Sequence, residues 1–197
     1  KSGSLLYDTE DNMKHDRGTI MMWVKLDEDP KHQRWDMLFD SVFPGQNGQC
    51  MLMHFHTTAK AWRFGIGSTR LECYGRKLAG REANRWYHLA VTWDVEIGAA
   101  IYIDGVRSGG RGGAAVVGAR VPRIEWLYIG VSAIGSGRSN HLTDELTIYD
   151  RALEPSQIEV IYKRQSYKEE RRPVVAEKAK KEDSKNVVIQ NRFLKMV

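Results

Sequence analysis

The chain has 197 residues, 42% of them hydrophobic, with 30 Lys and Arg against 25 Asp and Glu, a formal net charge of +5. This allows one sizeable packed domain, alone or with an appendage. Residues 163–197 hold 11 basic and 5 acidic side chains, leaving 19 against 20 for residues 1–162, so the positive excess sits in the tail and the rest offers no basic face to nucleic acid.

The tail's charges are mixed in sign and read as a solvated helix or linker, not as an arm for nucleic acid or membrane. No run reaches the roughly 18 apolar residues of a membrane span, and no signal peptide is visible. With Lys1 first, the expectation is a processed, excised or internal piece.

In chain order, SGSLLYD at 2–8 predicts a short strand, and TEDNMKHDRG after it a polar loop. Asp8, Glu10, Asp11 and Asn12 offer oxygens there without the spacing of a dedicated calcium loop, so the loop reads as solvated. In GTIMMWVKL at 18–26, Ile20, Met22, Val24 and Leu26 alternate with Met21, Trp23 and Lys25, the period of a two-faced strand. RWDMLFDSV (34–42), QCMLMHFH (49–56), AWRFGIG (61–67) and RLECYG (70–75) predict further short strands, with the turn PGQNG at 44–48. Cys50 and Cys73 fall in strands without a CxxC spacing, and they either bridge or serve as two small buried hydrophobes.

The clearest strand patterning lies at 84–110. In WYHLAVTWD, Tyr87, Leu89, Val91 and Trp93 alternate with Trp86, His88, Ala90 and Thr92; after VEIG comes AAIYIDGV, ending on an Asp104-Gly105 turn, so a hairpin is predicted. The Gly-rich SGGRGGAAVVGAR (108–120) lacks a phosphate-loop spacing and reads as a mobile rim loop. RIEWLYIGV (123–131) predicts a strand, AIGSGRSNH a loop, and HLTDELTIYDRAL (141–153) a last sandwich strand of mixed pattern. EPSQIEVIYKRQ changes to helical period, for one or two turns. The segment 166–185 is charged and broken by Pro173, and VVIQNRFLKMV (187–197) reads as a strand or a short amphipathic helix. Regular short strands and turns of this kind point to a sandwich or jelly roll.

GTIMMWVKL, NRWYHLAVTWD, IYIDGV, LYIG and DELTIYDRALEPSQIEVIY, in this order and spacing, resemble the laminin G-like jelly-roll domains of the concanavalin A-like lectin and glucanase superfamily. The resemblance covers most of residues 2–162. The expected fold is an all-β, antiparallel two-sheet jelly-roll sandwich over 1–165, with a short C-terminal helix and a charged extension at 166–197. The resemblance implies a non-catalytic, extracellular or cell-surface module for carbohydrate binding or adhesion, its partner a polysaccharide or a glycoprotein glycan. It also implies a structural calcium, with Asp144 the best single ligand and Asp8 its helper, the alternative being turn-stabilising carboxylates. The first, aromatic-rich strand of such domains is missing here. Either the chain is a fragment, or residues 187–197, from the same or a neighbouring molecule, fill that sheet edge.

The paired carboxylates E-x-D-x-x-E of the glycosidase branch and the Gln-Ile-His motif of the lyase branch are absent, so no enzyme is expected. For a ligand, strand phase names a surface. With Leu89, Val91, Ile101, Ile103, Phe64, Ile66, Met51, Met53 and Phe55 facing the core, His54, His56, Arg63, His88, Thr92 and Tyr102 are expected to face out together. That face suits sugar hydroxyls and ring faces, and is equally an ordinary wetted sheet face. The alternative function is a structural subunit of a surface assembly, filament or virion, its tail contacting a neighbouring subunit.

Overall fold

The computed structural model describes residues 5–10, 13–26, 35–42, 49–56, 59, 61–67, 71–75, 85–112, 123–135, 141–170 and 194–195. Among the described residues twelve strands and one helix follow in order: β1 (Leu5–Asp8), β2 (Arg17–Leu26), β3 (Trp35–Val42), β4 (Gln49–His56), β5 (Ala61–Ile66), β6 (Leu71–Gly75), β7 (Trp86–Asp94), β8 (Gly98–Ile103), β9 (Val106–Gly112), β10 (Trp126–Ile129), β11 (His141–Tyr149), α1 (Pro155–Glu170) and β12 (Leu194–Lys195). They form an antiparallel two-sheet jelly-roll sandwich, one sheet ordered β12-β1-β10-β3-β4-β5-β6 and the other β11-β2-β7-β8-β9.

The core between the sheets is what strand alternation dictates. Ile20, Met22 and Val24 of β2, Leu89, Val91 and Trp93 of β7 and Ile101 and Ile103 of β8 meet Met51, Met53, Phe55, Trp62, Phe64 and Ile66 of the other sheet. Trp62 and Trp93 are fully enclosed, and truncating either to Ala costs about 3–5 kcal/mol. Gly18 leaves room for Trp93, whose indole would lie 2.4 Å from a Cβ there.

β8 turns into β9 through Asp104 (φ 50°) and Gly105 (φ 77°), the left-handed pair of a type I′ hairpin. The Gly-rich stretch therefore begins as strand, correcting the expected loop over 108–112; residues 113–120 lie outside the described residues. Its glycines serve sheet closure: a Cβ on Gly109 would stand 1.8 Å from the Tyr74 carbonyl oxygen, where β9 lies against β6.

The mixed pattern of β11 also has a cause. A bulge between Asp144 and Thr147, with Glu145 at φ 52°, shifts the register, so that Leu142 is exposed while Leu146 and Ile148 pack against the core.

Helix α1 has 16 residues, longer than the one or two turns expected, and crosses the 165/166 boundary drawn from composition. Pro155 stands in its first turn, and the Gln157 side chain accepts from the Glu154 N–H (3.0 Å). The helix lies on the outer face of the five-stranded sheet, where Leu153 and Ile158 join Met21, Ala90, Ala100 and Tyr102 in a second core. Cys50 and Cys73 are separate, buried thiols, on strands with β5 between them. Strands two places apart are nearly 10 Å distant, too far for a bridge. Burial pushes the Cys50 thiol up to about 11. Within the segment expected as strand or helix at 187–197, Leu194 and Lys195 pair with Tyr7 and Leu6.

Candidate functional site: a charged cleft at the sandwich rim

The rim loop between β1 and β2 is held from three sides. Thr9 donates its N–H to the Glu125 carbonyl (3.1 Å) and its hydroxyl to that of Ile124. The Met13 N–H donates to the Thr9 carbonyl (3.2 Å), and the Met13 side chain is buried in the main core. The Trp93 indole N–H donates to the His15 carbonyl (3.1 Å), and the Val95 N–H to that of Asp16 (2.9 Å). A polar loop is thus pinned to the scaffold by one apolar side chain and a set of backbone bonds.

Beside it opens a cleft of about 510 Å³ lined by Thr9, Glu10, Met13, Lys14, His15, Arg123 and Asp150. The size suits a sugar. Glu10 pairs with Arg123, and Lys14 Nζ lies 3.3 Å from Asp150, all four side chains more than half exposed. His15 is half-buried, and its Nε2 accepts from the Ile124 N–H (3.3 Å), which leaves Nδ1 to carry the proton of the neutral ring. Burial first, and the Arg123 guanidinium second, hold its pKa below the ordinary imidazole value. The cleft therefore presents an apolar floor at Met13, a neutral ring donor, two cations and two carboxylates, able to bind a polar ligand through hydroxyl and charge contacts.

The residues expected to form one ligand face do not meet. His54 and His56 lie on β4 and Arg63 on β5 of the seven-stranded sheet; His88 and Thr92 lie on β7 and Tyr102 on β8 of the five-stranded sheet. The core-facing phase of these strands is as expected, but the outer faces of a sandwich point in opposite directions. Nor are they free surfaces: His54, Arg63, His88, Thr92 and Tyr102 are buried, and only His56 is partly exposed. Helix α1 accounts for one side. Trp23, His88 and Tyr162 form a triangle of rings with centroids 5.3–5.8 Å apart, and the Trp23 indole N–H donates to Gln165 (3.0 Å). Desolvation lowers the His88 pKa to about 4 and raises that of Tyr102, which is hydrogen-bonded with Thr92. On the other sheet His54 pairs in register with Arg63, whose guanidinium lies 5.9 Å from the Tyr74 ring centre.

The residues named for calcium lie in different sheets. Asp8 ends β1 in one sheet and accepts from the Glu10 N–H (2.9 Å); Asp144 lies within β11 in the other, opposite Trp23, and accepts from the Glu145 N–H (2.8 Å). Both carboxylates serve turns, and among the described residues no group of three or more His, Cys, Asp or Glu side chains could hold a metal.

The cleft residues escaped the sequence reading, Glu10 apart. The available signal was local: Met13 and His15, an apolar and a half-apolar side chain, stand inside an otherwise charged loop. Arg123 and Asp150 reach the site from more than a hundred positions away and carry no signal of their own.

Among solved structures, the chain is similar to Trypanosoma rangeli sialidase in complex with the inhibitor DANA, at 24% identity and TM-score 0.56 over 75% of this chain and 23% of that one. It is also similar to the botulinum neurotoxin serotype D ligand binding domain in complex with N-acetylneuraminic acid, at 11% identity and TM-score 0.65 over 82% of this chain and 40% of that one. A botulinum neurotoxin C/D mosaic receptor binding domain aligns at 12% identity and TM-score 0.58, over 77% and 37%. The chain thus spans about a quarter of the sialidase and two fifths of the toxin domains, and at these identities the likeness is one of fold. No curated protein matches significantly. Residues 2–159 match the laminin G-type family model, and the chain belongs to the concanavalin A-like lectin/glucanases superfamily.

Proposed function

We propose that the chain is a non-catalytic carbohydrate-binding module, working at an extracellular or cell-surface location, whose ligand enters the rim cleft. The observation that carries this reading is the cleft itself: a sugar-sized opening on a pinned loop, lined by a neutral His15 donor, two cations and an apolar floor at Met13. The family and the sialic-acid-bound toxin domain of the same fold support a glycan as the ligand class. The non-catalytic reading rests on the carboxylates of the cleft. Glu10 and Asp150 are exposed and engaged by cations, whereas glycoside hydrolysis uses one carboxylic acid kept protonated in an apolar pocket.

The test is binding of the labelled full chain to a glycan array, beside a Lys14→Ala plus His15→Ala variant. Retention of a glycan by the wild type and its loss in the variant are expected. Retention of none counts against the module, and equal retention by both counts against the cleft.

A second reading, as an assembly subunit, has one observation behind it: Leu194–Lys195 adds to the edge strand β1 with a two-residue ladder, and the same edge of a neighbouring molecule offers the same ladder. Light scattering with and without residues 187–197 decides it. Concentration-dependent growth in mass that deletion abolishes would favour assembly.

A further inference from the structure

We infer that the rim cleft selects a carboxylate-bearing sugar by substitution: the ligand carboxylate replaces Glu10 on the Arg123 guanidinium while Lys14 turns from Asp150 towards the same charge. This rests on the glycan-binding reading above and names its ligand class.

Arg123 and Lys14 both line the cleft, Arg123 ahead of β10 and Lys14 in the loop before β2, and each is already answered by a carboxylate. Glu10 therefore shows what Arg123 accepts. A guanidinium presents a planar fork that can match a carboxylate through two parallel N–H donors, so a sugar acid can take the place the Glu10 carboxylate holds on Arg123. Releasing that side chain costs little. In the Glu10–Arg123 pair the two side chains are 62% and 61% exposed, in the Lys14–Asp150 pair 57% and 59%, and ion pairs this open contribute only about 0–1 kcal/mol.

A ligand covering the cleft removes water from the two cations, which strengthens its own contacts relative to the internal pairs. The remaining groups then find sugar chemistry. Protonated Nδ1 of His15 is a donor to a ring hydroxyl or acetamido oxygen, and the released Glu10 and Asp150 are acceptors for hydroxyl hydrogens. Thr9 takes no part through its hydroxyl, which is spent on the Ile124 carbonyl.

The competition gives a test that ordinary charge attraction does not pass. Titration calorimetry of the full chain compares lactose, 3′-sialyllactose and 3′-sulfolactose at physiological salt. Sialyllactose is expected to bind about tenfold or more tightly than the other two, and Arg123→Ala to remove that excess. Glu10→Gln, which frees Arg123, is expected to tighten sialyllactose about threefold or more. Glu159→Gln makes the same change in net charge on α1, where Glu159 pairs with Lys163, and is expected to leave affinity unchanged.

Equal binding of lactose and sialyllactose overturns the substitution account while leaving the module reading intact. Equal binding of the sulfated sugar overturns the carboxylate assignment. An unchanged affinity in Glu10→Gln, or equal tightening in Glu159→Gln, overturns the competition. Binding of none of the three sugars, in a chain that retains no glycan on the array either, takes the module reading down as well.

Discussion

On the outer face of the five-stranded sheet, His88, Thr92 and Tyr102 point away from the main core and end up enclosed, because Leu153, just ahead of α1, and Ile158 and Tyr162 of α1 pack down on this face. At the rim, Lys14, Glu10, Arg123 and Asp150 lie in or beside loops and stay exposed, because the loop is anchored underneath by Met13 and Trp93. One polar set became a second core and the other an opening. Strand phase decides which side chains leave the first core, and packing of a later element decides whether they reach water.

The comparison breaks most visibly if a charge is placed under the helix. Ile158→Asp puts a carboxylate at a site with no exposure, and its expected cost is about 4 kcal/mol or more in urea unfolding. A cost under about 1 kcal/mol would mean that α1 does not close this face.

His88 tests the same enclosure through pH. Its folded pKa, lowered to about 4 by desolvation, lies below the ordinary 6.5, so between these values the unfolded chain binds the proton more readily. The stability it lends is full above pH 6.5 and falls as pH drops towards 4, by about 3 kcal/mol in all. His88→Phe should flatten that part of the stability profile; an unaltered slope would mean that the ring is already wet.

A smaller effect sharpens the role of the helix start. Gln157→Ala removes the acceptor for the Glu154 N–H and should cost about 0.5–1 kcal/mol without touching glycan binding. At the rim the expectation inverts. Lys14→Ala with Arg123→Ala should change stability by no more than about 0.5 kcal/mol. Glycan affinity should meanwhile fall about tenfold or more. A large loss of stability would make those charges structural.

Most of the fold was legible because alternation is a local property. Ile20/Met22/Val24, Leu89/Val91 and Ile101/Ile103 each name their face within six residues, and Asp104-Gly105 names its turn. What failed did so for non-local reasons. The bulge at Glu145 blurred β11, and the glycines at 109 and 110 resembled a loop because the neighbour that demands a bare Cα at Gly109, Tyr74, lies far along the chain. The candidate ligand face failed because phase cannot say which sheet a strand joins or what covers it. The rim cleft was hidden for the same reason, its two ion pairs joining Glu10 to Arg123 and Lys14 to Asp150.

That a glycan enters the rim cleft is tested most directly by amide NMR shift mapping of the full chain titrated with 3′-sialyllactose. The predicted changes cluster at Thr9, Glu10, Lys14, His15 and Ile124, with Trp23, His88 and Tyr102 undisturbed. Shifts centred on His88 and Tyr102, or on His54 and Arg63, with the rim silent, would contradict it.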